Sequence, residues 1–266
     1  MPRPCLQRRR SPVLVGAAAL AASCLSACGG SIEVGSDVLW TARFEAGTFD
    51  EWNQTPGGNA GVSSPTGSIE VSGEHAHSGG LAARLTVDAP SGAGPQSAGM
   101  SRRDGLPAEG YYSAWYYLPA TENVALYWVI FKFRQRAVAD DPASEGELFD
   151  VGLFNSTDGQ MTLDVYDHRV GAAVPLQVAG LVVPVGAWFQ IEAFYRNASD
   201  TTGALTVWFD GQVVVDLQGA ATSPTPWVEW DVLNLGNELT PSGASLFVDD
   251  CVLSRRRVGP QGHLPD

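Results

Sequence analysis

The sequence predicts an all-β fold, a two-sheet antiparallel jelly-roll sandwich. Three observations carry this. Short runs of β-branched and aromatic residues recur along the chain, separated by Gly, Pro, Asn and Asp, with 30 glycines and 17 prolines supplying the breaks. No long stretch repeats apolar residues at the 3.6-residue period of an amphipathic helix. Asp210-Gly211 lies between two such runs, and a two-residue type I′ hairpin needs positive φ at both central positions, which Asp and Gly tolerate. About a dozen strands without helices are best buried by packing two sheets face to face.

The chain opens on an export signal. Arg3, Arg8, Arg9 and Arg10 give a basic start with no acid, residues 13–25 are apolar and Ala-rich, and Leu25-Ser26-Ala27-Cys28 follows. That is the charged, apolar, small-residue order of a signal peptide. The apolar run is shorter than the roughly 20 residues of a membrane span. Leu-Ser-Ala-Cys resembles the lipobox of bacterial lipoproteins, which implies lipidation of Cys28 as the first mature residue. Gly29-Gly30-Ser31 then begins a flexible tether. The expected order is signal peptide 1–27, tether 28–37, jelly-roll domain 38–258 and C-terminal tail 259–266. The protein is expected in the cell envelope, a monomer held at the membrane only through its lipid. About 240 mature residues suit one large β domain.

Charge narrows the function classes. The chain carries 16 Lys+Arg against 29 Asp+Glu, a formal charge of −13; loss of the signal removes four arginines and no acid, leaving −17. Nucleic-acid binding, which needs basic surface to neutralise phosphates, does not fit. Cys5 and Cys24 leave with the signal and Cys28 is the lipid site, so Cys251 alone remains and no intramolecular disulfide is expected. It lies in an apolar run and reads as a buried core thiol.

In chain order, strands are expected at 38–44, 68–72, 81–87, 97–102, 111–118, 126–134, 148–154, 161–168, 188–195, 205–209, 212–216, 228–235 and 245–253. Asp158-Gly159 is a second, weaker hairpin signal, and 140–147 reads as an acidic loop able to overhang a groove. Successive side chains of a strand point to opposite faces, so alternation assigns each residue a side. In 126–134, Tyr127, Val129, Phe131 and Phe133 take the core face, opposite Trp128, Lys132 and Arg134. In 161–168, Leu163 and Val165 oppose Thr162, Asp164, Tyr166 and His168. In 188–195, Phe189, Ile191 and Tyr195 oppose Gln190 and Glu192, and in 205–209 Leu205, Val207 and Phe209 oppose Thr206 and Trp208.

Several motifs in order carry a family resemblance. Phe44-Glu45-Ala46-Gly47 with Trp52 is similar to the opening strand of secreted sugar-active jelly rolls. His77-Ser78-Gly79-Gly80-Leu81-Ala82-Ala83, Tyr112-Ser113-Ala114-Trp115-Tyr116-Tyr117-Leu118-Pro119, Val207-Trp208-Phe209-Asp210-Gly211 and Leu246-Phe247-Val248-Asp249-Asp250 resemble their later strands. Across residues 38–258 the set resembles the concanavalin A-like lectin/glucanase fold, nearest the heparin lyase I-like polysaccharide lyases. Two departures stand out. Phe131-Lys132-Phe133-Arg134-Gln135 places Lys132 and Arg134 where such lyases carry Gln-x-His, and the paired-carboxylate motif of laminarinase-type hydrolases is absent. No nucleophile elbow, zinc helix or phosphate loop is present either.

The candidate site is a polar–aromatic sheet face: Trp128, Lys132, Arg134, Asp150, Glu192 and Trp208 as sugar-binding residues, with Asp164 and Gln190 beside them. Aromatics stack on the apolar faces of sugar rings while charged groups bond the hydroxyls; the same pattern also describes a solvated outer face. Elimination would need a base, Tyr166 or His168, and a cation against the uronate carboxylate, Lys132 or Arg134. His75 and His77, two apart, read as ordinary strand-edge residues, and Arg255-Arg256-Arg257 as a solvated tail. By resemblance, Glu45, Asp249 and Asp250 are expected to hold a structural Ca²⁺ through hard oxygen ligands. The expected function is polysaccharide binding, with polysaccharide lyase and non-catalytic surface or adhesion scaffold as the alternatives.

Overall fold

The computed structural model describes residues 37–53, 58–62, 67–89, 92–136, 144–171, 174–176, 180–240 and 244–262. The expected signal peptide, Cys28 and the expected tether up to residue 36 lie outside them. With strands numbered in chain order, the first sheet runs β14 (Gln212–Gln218), β13 (Ala204–Phe209), β12 (Trp188–Arg196), β6 (Glu109–Tyr117), β16 (Ala244–Ser254), β4 (Ala82–Val87), β3 (Ser68–Ser72), and β1 (Val38–Ala42) also pairs with β16. The second runs β10 (Val174–Pro175), β9 (Met161–Asp167), β8 (Glu145–Asn155), β7 (Asn123–Arg136), β15 (Trp227–Thr240), β5 (Gln96–Arg102), β2 (Gly58–Val62), with β11 (Leu181–Val182) on β9. Neighbours pair antiparallel, as in β7 with β15 and β12 with β6. The fold is the all-β, two-sheet sandwich that the sequence predicts.

Every expected strand is present, within a few residues of its predicted ends. The sequence missed β2, β10, β11 and the single helical turn α1 (Asp50–Asn53). β2 reads Gly-Asn-Ala-Gly-Val, with little β propensity, and is extended because it pairs with β5. In α1, Glu51 Oε2 accepts the backbone N–H groups of Arg43 and Phe44, and Trp52 drops into the core. Asp210 and Gly211 have φ of 46° and 80°, the left-handed pair a type I′ turn requires. Asp158-Gly159 instead belongs to a longer turn closed by Ser156 N–H on the Gln160 carbonyl.

The core lies between the sheets. Trp52, Tyr112, Phe131, Phe133, Tyr195 and Trp230 are buried there in edge-on and stacked ring contacts. Each such side chain contributes on the order of 1.5–3 kcal/mol relative to exposure. Of the expected core set, Val129, Phe131, Phe133, Ile191, Val207 and Cys251 are buried, and Tyr127 is half-buried on the other side. Cys251 is a free, buried thiol.

A bulge explains Tyr127 and corrects the expectation for Trp128. Along β7, Val129 pairs with Gly152 and Phe131 with Val151, so Ile130 is an extra residue on this edge. On the β15 side the register slips between Val232 and Leu235. One extra residue reverses the alternation. Trp128 and Ile130 therefore face the core with Phe131 and Phe133, and Tyr127 and Val129 line the outer face. Trp128 Nε1 donates to Asn234 Oδ1 at 2.7 Å, and Asn234 Nδ2 donates to the carbonyls of Leu85 and Ala244 in the opposite sheet. Asn234, fully buried, ties the two layers together.

Candidate functional site

The register of the second sheet gathers chemistry from six strands into one row on its outer face. Tyr166 on β9 pairs with Asp150 on β8, Asp150 with Lys132 on β7, Lys132 with Asp231 on β15, Asp231 with Ser101 on β5, and Ser101 with Asn59 on β2. A neighbouring row runs Glu147, Arg134, Glu229. Two depressions share Leu235 on this face. One of 590 Å³ includes Asn59, Ser101, Lys132, Arg134 and Asp231; the other, of 410 Å³, includes Tyr127, Glu147, Asp150, Tyr166 and His168. Gly99 forms part of the first, where a Cβ would lie 2.6 Å from that of Leu233.

The two rows alternate in charge, so each cation stands between carboxylates on adjacent strands, the favourable cross-strand arrangement. Arg134 Nε donates to Asp231 Oδ2 at 2.6 Å, Nη2 to Glu229 Oε1 at 2.5 Å and Nη1 to Glu145 Oε2 at 2.5 Å. Burial opposes the charge on Arg134, and Asp231, Glu229 and Glu145 outweigh it, raising its pKa. Burial beside Asp231 pushes the Glu229 carboxyl up. Lys132, the only lysine of the chain, is buried and donates Nζ to Glu147 Oε1.

His168 sits at the head of this network. Its Nε2 lies 2.7 Å from Asp150 Oδ2, and its Nδ1 lies 3.4 Å from Glu147 Oε2. The hydrogen bond to Asp150 lifts the imidazole pKa above its ordinary value, burial works against that, and the charges of Asp150 and Glu147 add to the rise. Tyr166, half-buried, has its phenol pushed up by burial and by Asp164 and Asp150. Glu147 is opposed by burial and held below the usual range by Lys132, His168 and Arg134. Among the described residues, Glu147, Asp150 and His168 form the one acidic and histidine group with ligand atoms within 4.8 Å of one another, close enough to take a metal ion. A lone-pair donor set of imidazole and carboxylates suits a transition ion, with the Lys132 ammonium as its competitor on Glu147.

The structure thus brings together Lys132, Arg134, Asp150, Tyr166 and His168 of the expected residues. It separates three others. Trp128 is in the core, for the reason given above. Glu192 and Trp208 pair on the first sheet, whose outer face is remote in topology from the row on the second. There Glu192 accepts Val258 N–H at 2.7 Å and Arg257 Nε at 3.1 Å, and the Arg257 guanidinium lies 4.5 Å over the Trp208 ring. Arg257 is therefore a latch for the C-terminal segment and not part of a solvated tail. Among the described residues, the expected calcium ligands Glu45, Asp249 and Asp250 do not gather their ligand atoms into one group. Asp249 Oδ2 accepts His77 and Ser78 N–H, Asp250 bonds His77 Nδ1 and Ser78 Oγ, and Glu45 accepts Gly80 and Leu81 N–H. Burial and Asp250 push the Asp249 carboxyl up to about 7. His75 and His77 stack on Tyr117 and Trp115.

Sequence reasoning missed Glu147, assigned to an acidic loop, and Tyr127, assigned to the core. It also passed over Glu229 and Asp231, although two acids at i and i+2 in an otherwise apolar strand share a face. Residues 140–143 of the expected loop lie outside the described residues.

No family model and no curated protein matches the chain. Solved structures do. An endo-β-1,4-glucuronan lyase from the fungus Trichoderma reesei superposes with a TM-score of 0.62 at 16% identity, over 83% of this chain and 97% of that one. The cellulose-induced protein Cip1 gives 0.54 at 14%, over 82% and 98%. A mutant alginate lyase Aly36B in complex with alginate trisaccharide gives 0.50 at 15%, over 82% and 98%. These likenesses establish a concanavalin A-like jelly roll with polysaccharide lyases among its structural neighbours. The lyases named here act on glucuronan and alginate, so the resemblance to heparin lyase I-like enzymes reduces to the fold.

Proposed function

We propose that the outer face of the second sheet binds a uronate-containing polysaccharide and cleaves it by β-elimination. The observation that carries this is the Asp150–His168 pair beside Tyr166 and Lys132. A neutral imidazole that donates Nε2–H to Asp150 keeps its basic lone pair on Nδ1, the nitrogen 3.4 Å from Glu147 Oε2. In this reading His168 Nδ1 takes the C5 proton and the C5–H electrons form the C4=C5 double bond. The C4–O4 bond breaks with its electron pair on O4, and Tyr166, kept a phenol by its raised pKa, gives O4 a proton. Lys132 faces the uronate carboxylate, where its charge stabilises the carbanion-like transition state. Cys28, if lipidated, would fix the domain to the cell envelope.

Glucuronan, alginate and other uronate polymers should gain the ultraviolet absorbance of unsaturated uronates on incubation with the protein. His168→Ala and Tyr166→Phe should each reduce the rate by about 10²–10⁴-fold, the usual worth of an acid or base. Binding without any new absorbance would overturn the reaction and leave a polysaccharide-binding module. That second reading is favoured by one feature: Lys132 and Arg134 are already neutralised by the protein's own carboxylates.

A further inference from the structure

Of the five carboxylates around the cations of the site, Glu145 is 23% exposed and the other four differ sharply. The side chains of Asp150, Asp231 and Glu229 are 6%, 3% and 1% exposed, and that of Glu147 is 49% exposed. The first three are built into the sheet. Glu147, near the start of β8, lies over it, with one oxygen on Lys132 Nζ and the other toward His168 Nδ1. These are the two atoms that the reaction above requires for the carboxylate and for the base. In that reaction a bound uronate would set its carboxylate against the ammonium and its C5–H against the imidazole, so Glu147 occupies both places.

We propose that Glu147 is an internal stand-in for the substrate carboxylate, which a uronate must displace from Lys132 and His168 before it can react. This deepens the functional reading and rests on it. The buried carboxylates cannot play this part, because Asp231 and Glu229 are fixed on Arg134 and Asp150 on His168 from within the sheet. Glu147 is half-exposed and can swing into solvent, but Lys132 is buried, so the ammonium must take the sugar carboxylate as Glu147 leaves. A neutral sugar has no charge with which to evict it. Glu147 then acts as a specificity residue: it admits acidic glycans to the base and keeps the base covered from neutral ones. The cost is affinity, since the apparent Kd is raised by the fraction of molecules in which the site is covered.

The test measures binding of a β-1,4-linked glucuronate trisaccharide and of cellotriose, its neutral counterpart, to the wild-type protein and to Glu147→Ala and Glu147→Gln. The alanine variant should bind the acidic trisaccharide roughly tenfold tighter if the open form is about a tenth of the population. It should bind cellotriose no more than about twofold differently, a gap smaller than one lost contact. Gln, uncharged but of the same length, should fall between. The single lysine gives a second readout, because ¹⁵N-lysine labelling yields one ε-ammonium signal in the NMR spectrum. Saturating acidic trisaccharide should move that signal less in the wild type, where one carboxylate replaces another on Nζ, than in Glu147→Ala, where the ammonium gains one. If the wild type binds the acidic sugar and Glu147→Ala binds it equally or more weakly, the stand-in role is overturned while the lyase reading survives. An equal gain for cellotriose would mean that Glu147 is only a steric cover, and would overturn it too. If neither protein binds the acidic sugar, the functional reading fails and this inference with it.

Discussion

Glu122, just before β7, is buried with Oε2 lacking a hydrogen-bond partner. Burial pushes its carboxyl from 4.5 up to about 7. A carboxylate whose folded pKa lies above its unfolded one binds more protons in the folded state between those values. Stability therefore falls as pH rises through that window, and the full cost is present above it. Glu122→Gln should flatten this fall and stabilise the protein by about 1–3 kcal/mol near pH 8, with little gain near pH 4. Urea unfolding at the two pH values checks it; an equal gain at both would mean that the charge is not the cause. Asp249, also raised to about 7 by burial and Asp250, gives a slope of the same sign that the variant leaves in place. His168 differs in kind: its raised pKa belongs to a base, so what its pairing with Asp150 contributes is present at low pH and lost as pH rises through the folded value.

Between β16 and the end of the described chain, a short segment is strapped across the first sheet. Glu192 is fully buried and takes the N–H groups of Val258 and Gly259 together with the Arg257 guanidinium. Arg257 also donates to the Gly211 carbonyl in the β13–β14 turn and covers Trp208. The strap thus holds down a hairpin at the edge of the sheet. Removing Arg257 leaves a buried carboxylate with less compensation, at a cost of about 1–3 kcal/mol. Arg257→Ala should speed trypsin cleavage after Arg255 and Arg256 while the rest of the domain stays intact. Unchanged cleavage and an unchanged melting temperature would show the latch to be incidental.

At the scale of the whole molecule, the two sheets have distinct outer faces. One is closed by the C-terminal strap; the other carries the charge-alternating rows and both depressions. Among the described residues no helix is long and apolar enough to cross a membrane. We propose attachment to a membrane through lipid at Cys28, from the Leu-Ser-Ala-Cys sequence. Cys28→Ser should release the protein from the membrane fraction of the producing cell, because the anchor supplies the only apolar contact with the bilayer in that reading. A variant that still sediments with membranes would show that something else holds it.

The sequence by itself determined the β architecture. The strand positions, the hairpin at Asp210-Gly211 and the buried Cys251 follow from local properties: alternation, turn chemistry and apolar runs. It also placed Tyr166 and His168 on one face, because Tyr166 lies on β9, which pairs with β8 without a bulge, and His168 directly follows its end. Tertiary structure decided what local pattern could not encode. Ile130 shifts the phase of β7 by one residue, which buries Trp128 and turns Tyr127 outward, and only the register with β8 and β15 reveals it. The pairing of the two cations is likewise a matter of register: Lys132 and Arg134 read as a free cationic patch until Asp150, Asp231, Glu147 and Glu229 arrive from strands up to about a hundred residues away. Glu192 and Trp208 matched the polar–aromatic pattern of a sugar-binding face equally well. They belong to the other sheet, because alternation tells a residue's side within a strand and says nothing about which sheet that strand joins.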